Sequence, residues 1–191
     1  KRINELKTIV YWIIGLFLYL IIAQSSVFAA GEFQADYDVQ YVVSPAGVTI
    51  VTQNVTLTNK LTNLYPQKYS ILIDSEKIKN VIAFDNGGIV TPQISQKDGK
   101  TEILLPFNEQ VVGVGKQLRF SLRYENTDIA QKNGTIWEIN IPGVANDPDL
   151  ASYSVNLRVP PTFGPNAYMS PPPASANRWT REQMVTGGIS A

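Results

Sequence analysis

The chain has 191 residues, 44% hydrophobic and 17% charged, the balance of a folding chain rather than a disordered one, and enough for one domain with flanking segments. Sixteen basic residues offset sixteen acidic ones, so no basic field exists to draw nucleic acid. Cys and His are both absent, which removes thiolate nucleophiles, disulfides and zinc–thiolate sites, together with the commonest general base and transition-metal ligand.

Residues 1–29 read as an export signal. Lys1, Arg2 and Lys7 give a positive start, and Ile9 to Ala23 form an uncharged apolar run of 15 residues. Gln24, Ser25 and Ser26 then turn polar, and Val27-Phe28-Ala29 offers tolerated residues at −3 and −1 for cleavage after Ala29. The rival reading is a retained signal anchor, with an apolar helix placing residues 9–23 in a membrane. A spanning helix prefers about 20 apolar residues.

From Phe33 the dominant period is two. Phe33, Ala35, Tyr37, Val39, Tyr41 and Val43 alternate with mostly polar neighbours, the mark of a half-buried strand. Ser44-Pro45-Ala46-Gly47 supplies a turn. A second strand is expected from Val48 to about Asn59; its apolar phase shifts from Val48 and Ile50 to Val51, Val55 and Leu57, which predicts a β-bulge. Further strands are expected at residues 68–73, 78–84, 90–96, 101–107, 117–125, 135–141 and 152–159. Asp85-Asn86-Gly87-Gly88 and Lys97-Asp98-Gly99-Lys100 are turn signals, and Asp98-Gly99 is the best hairpin signal in the chain. These elements predict an all-β fold, an antiparallel immunoglobulin-like β-sandwich of about eight or nine strands over residues 30–159, with a closed barrel as the alternative.

Composition changes at Pro160. Six of the twelve prolines lie between Pro160 and Pro173. The stretch Pro160–Ala176 is expected to run extended along a surface or to act as a stiff linker. Thr180 with Gln183 predicts a capping box, and Gly187-Gly188 the end of a short helix. Residues 160–191 thus read as a linker and the start of an element leading towards a further domain.

The export signal, the Thr-rich strand series, Asn156-Leu157-Arg158-Val159-Pro160-Pro161 and the proline-rich exit into Trp179 and Gly187-Gly188 resemble the region before the catalytic domain of bacterial exported transglutaminase-like proteins. That resemblance implies a papain-like Cys-His-Asp core C-terminal to such a segment. It grants this chain no activity, since neither Cys nor His is present.

The candidate sites are few. Asp147 and Asp149 offer carboxylates of the kind Ca2+ takes, but Asn146-Asp147-Pro148 is a common turn and the remaining ligands of a calcium loop are missing. Asp36 and Asp38 share the polar face of one strand, as a glycosidase pair or as a solvated face. Tyr65, Phe163, Tyr168 and Trp179 lie in loop or proline-rich sequence, where an aromatic stacks on a sugar or a partner, or packs the extension onto the sandwich. Asn54-Val55-Thr56 and Asn133-Gly134-Thr135 match the glycosylation sequon. Gly113-Val114-Gly115 reads as a loop.

The leading expectation is a non-catalytic, extracytoplasmic scaffold that positions a downstream transglutaminase-like domain of the same polypeptide, without cofactor, metal or nucleic acid. The alternatives are a free-standing cell-surface module that binds glycan or cell-wall polymer, and an adhesion or assembly subunit that meets a surface protein through its sheet edges.

Overall fold

Alternation of apolar and polar side chains sets the architecture. A computed structural model describes residues 31–191, and the expected signal, its cleavage after Ala29 and the apolar run 9–23 lie outside the described residues. Among the described residues no helix is long and apolar enough to cross a membrane. The strands in chain order are β1 (Phe33–Val43), β2 (Thr49–Asn59), β3 (Lys68–Ile73), β4 (Ile78–Asp85), β5 (Gly88–Val90), β6 (Gln93–Lys97), β7 (Lys100–Pro106), β8 (Gln117–Asn126), β9 (Ala130–Asn133), β10 (Ile136–Ile141) and β11 (Leu150–Arg158). After a 3-10 turn at Pro161–Phe163 come β12 (Arg178–Trp179), the helix α1 (Arg181–Thr186) and β13 (Ile189–Ser190).

A large sheet runs in the order β12-β11-β1-β2-β8-β4-β5, and two three-stranded sheets run β13-β10-β9 and β3-β7-β6. All three are open, so the closed barrel is set aside. One face of the large sheet is dry: Val39, Val51, Leu122, Val155 and Leu157 are fully buried. The three-stranded sheets contribute Ile103, Leu105, Ile139, Ile141 and Ile189 to the same core, and Tyr69 of β3 and Phe107, just after β7, pack against Phe120 of β8 with ring centroids 5.5 and 5.1 Å apart.

Three expectations need correction. The large sheet is mixed, because β1 pairs with β11 in parallel, Asp36 beside Ser152 and Asp38 beside Ser154. No bulge interrupts β2, whose register with β1 and β8 is unbroken; polar Thr49, Gln53 and Asn59 are buried on the dry face while Ile50 takes the other, and that inversion mimics a slip. Residues 90–96 are not one strand: after Val90 the chain leaves the large sheet through Thr91-Pro92, since proline cannot donate to a ladder, and joins the β3-β7-β6 sheet as β6. Of the two courses expected for the proline-rich stretch, residues 160–191 take the one along the surface. β12 adds to the edge of the large sheet at Val155 and Asn156, and β13 pairs with β10, so Gly31–Ala191 forms one compact unit. Within this segment, Pro171 O accepts from the Trp179 indole at 2.8 Å and Pro172 O from Gln183 Nε2 at 2.7 Å. The capping box is present, with Thr180 N donating to Gln183 Oε1 at 3.0 Å.

Candidate functional site

Two concave surfaces hold the residues the sequence singles out. The first is a groove of about 550 Å3 on the wet face of the large sheet. Register puts Ile89, Phe84, Ser121, Asn54, Asp38 and Ser154 in one row across six strands. The next row on that face carries Arg119, Thr56, Asp36 and Ser152. Each carboxylate is already engaged: Ser152 Oγ donates to Asp36 at 2.6 Å and Ser154 Oγ to Asp38 at 2.7 Å. Asp85 at the groove rim accepts from the backbone N–H groups of Gly87 and Asn108 at 2.8 and 2.6 Å. Both side chains lie on the wet face of the sheet with an oxygen already taken by a serine hydroxyl on the neighbouring strand. The solvated-face reading of Asp36 and Asp38 is therefore the one this geometry supports.

The second surface is a cleft of about 440 Å3 lined by Ile136, Trp137, Glu138, Phe163, Asn166 and Tyr168, among others. Its wall is built from far apart in the chain. Pro160-Pro161 ends β11 and starts the 3-10 turn, closed by Gly164 N donating to Pro161 O at 3.1 Å. The turn delivers Phe163 onto Trp137 of β10, the rings nearly parallel at 4.2 Å and 5°. Beneath them, Gly47 has φ +84, and a Cβ there would sit 2.5 Å from the Trp137 ring. Only glycine allows the β1–β2 turn to pass so close in that conformation. Tyr168 is 66% exposed.

The remaining predicted residues sit elsewhere. Trp179 is fully buried with its indole N–H satisfied, so it packs the core and is not a ligand platform. Tyr65 lies half-buried in the β2–β3 loop and lines neither surface. Asp147 Oδ1 accepts from Asp149 N at 2.8 Å, an Asx turn, and the Asp149 carboxylate pairs with Lys60. The two carboxylates thus serve separate partners, as in the turn reading. Trp137, on the expected strand 135–141 but not among the candidate aromatics, forms half of the cleft wall; the Gly47 contact that shapes its seat is a tertiary one without a local signal.

The dry face of the large sheet carries a phenol cluster. The hydroxyls of Tyr37 and Tyr69 are 2.7 Å apart, and Gln53 Nε2 donates to Tyr124 Oη at 3.3 Å. Burial pushes the phenols of Tyr37, Tyr41, Tyr69 and Tyr124 above the usual tyrosine range, and that of Tyr153 up to about 12. These groups stay neutral at physiological pH and serve the core.

No protein-family profile matches the chain, and no curated protein matches it. Among solved structures it is similar to native yeast LTA4 hydrolase, at 12% identity and a TM-score of 0.47, over 83% of this chain and 28% of that one. The chain therefore spans less than a third of the length of that protein.

Proposed function

We propose that the chain is an extracytoplasmic, immunoglobulin-like β-sandwich that binds a surface glycan or cell-wall polymer in the Trp137–Phe163–Tyr168 cleft. The partly buried Trp137–Phe163 stack lining the cleft beside the exposed Tyr168 phenol carries this reading. Aromatic faces cover the C–H faces of a sugar, and Glu138 and Asn166 supply acceptors and donors for its hydroxyls. The cleft volume falls within the roughly 300–1,000 Å3 of ordinary ligand sites.

Co-sedimentation of the full chain with purified peptidoglycan tests it. Retention is expected, and Tyr168→Ala should weaken it about tenfold, the worth of one lost aromatic contact of roughly 1.4 kcal/mol. Retention no greater than that of heat-denatured chain removes the proposal.

A second reading keeps the sandwich as the positioning unit for a transglutaminase-like domain of the same polypeptide. It is supported by the residues of the resemblance meeting at one sheet edge, where Asn156 pairs with Arg178 and Val155 with Trp179. The coding sequence after Ala191 decides it: without a Cys, His and Asp constellation there, this reading fails.

A further inference from the structure

We propose that the end of the molecule formed by residues 60–67 and 108–116 docks on the surface of a lipid bilayer. The two loops carry four exposed aliphatic side chains: Leu61 (44%), Leu64 (38%), Val112 (51%) and Val114 (61%). Single exposed apolar residues are ordinary, but a cluster on neighbouring loops marks an interaction surface. Turn geometry asks for none of these side chains, since such positions favour Gly, Pro, Asn, Asp and Ser.

The loops are held together by one residue. Buried Asn59, at the end of β2, donates its backbone N–H to Lys116 O at 2.9 Å, and its carbonyl accepts from Gly115 N at 2.7 Å. Its side chain accepts from Leu61 N at 2.9 Å and donates to Leu64 O. Lys60 N donates to Glu32 O at 3.0 Å, and Lys60 Nζ pairs with Asp149. The four side chains are therefore presented on tethered turns.

Three features select a bilayer as the partner. Tyr65 sits between Leu64 and Pro66 with its ring half-exposed, and tyrosine favours the headgroup level, where one end is apolar and the other wet. Lys68 and Lys116 are exposed at the loop flanks, placed to meet lipid phosphates. The chain also enters β1 here: Glu32 touches Lys60, and seven residues, 24–30, separate Gly31 from the apolar run 9–23. Seven residues reach at most about 25 Å, so a retained run keeps this end within reach of the membrane. The proposed surface contains none of the cleft residues and stands apart from the glycan reading.

The absence of native cysteine makes the test direct. Val114→Cys, and Ile136→Cys as an exposed apolar control on β10, are each labelled with an environment-sensitive fluorophore in the full chain. Each protein is then reconstituted into phosphatidylcholine–phosphatidylglycerol vesicles with a lipid-borne quencher. The label at 114 should shift to the blue and be quenched several-fold more strongly than the label at 136. Adding Leu61→Ser with Leu64→Ser should abolish that difference while the circular dichroism spectrum and melting temperature stay unchanged. Equal quenching at 114 and 136, or a difference that survives the double substitution, overturns the proposal. So does a label at 114 that stays in water on pure lipid and is protected only when another protein is added.

Discussion

The wet face of the large sheet and the aromatic cleft are both concave and both border solvent, yet they differ in what they leave unpaired. On the sheet face, Asp36 and Asp38 are matched to Ser152 and Ser154 by strand register, and Asp85 accepts from the backbone of its own turn. A ligand there must displace hydrogen bonds the protein already makes, with little net gain per exchange. In the cleft, Tyr168 and the Phe163–Trp137 wall leave aromatic surface against water, and covering it is favourable wherever a ligand supplies an apolar face. A volume alone would rank the sheet face first; the state of its polar groups reverses the order.

Perturbations at these two regions should separate sharply. The largest effect is expected from Gly188→Ala, just before β13. Its Cβ would run into the carbonyl of Ile141, so β13 cannot stay on β10. A loss of about 3–5 kcal/mol in denaturant unfolding is expected, and the cleft beside β10 should lose its ligand with it. Alkali attacks the large sheet from its dry side. Folded phenols with raised pKa contribute stability that is complete below the unfolded value of about 10 and is lost as pH rises through the folded one. Unfolding free energy should therefore fall between about pH 10 and 12, by up to about 1.4 kcal/mol per pH unit for each buried tyrosine. Absorbance of tyrosinate should appear together with unfolding rather than before it. Phe163→Ala removes one side of the stack, for about 2 kcal/mol in melting experiments and a loss of cleft binding. Asp38→Ala should change stability by less than about 0.5 kcal/mol and leave peptidoglycan retention intact. A strong binding defect in that last variant would invert the comparison.

Much of this was legible in the residues. Period-two alternation located the strands that bury one face, because the dry side of β1, β8 and β11 is apolar at nearly every second position. The Asp98-Gly99 hairpin is where its turn chemistry placed it, with φ of 54° and 79°. β2 misled because its dry side carries Thr49, Gln53 and Asn59; Gln53 is partnered from β8 and Asn59 from the following loop. The strands β5, β9, β12 and β13 have two to four residues each, too short for a period to show. The tail hid its attachment because it is made by the two-residue strands β12 and β13, while Pro171 and Pro172 use their carbonyls within the tail itself. Of the candidate aromatics, only Phe163 and Tyr168 come together, since β10 offers Phe163 a ring to stack on while Trp179 is drawn into the core.

The parallel pairing of β1 with β11 has a consequence in time. Ser152 and Asp36, partners across that ladder, are 116 residues apart in the chain. Local hairpins such as β1–β2 and β6–β7 close over short loops, but the β11 side of the large sheet waits for nearly the whole polypeptide. High contact order of this kind slows folding. Until β11 arrives, β1 presents an open backbone edge of eleven residues with Val39 and Tyr41 beside it. Assembly of this unit is thus a race between completing its own sheet and meeting another chain at that edge.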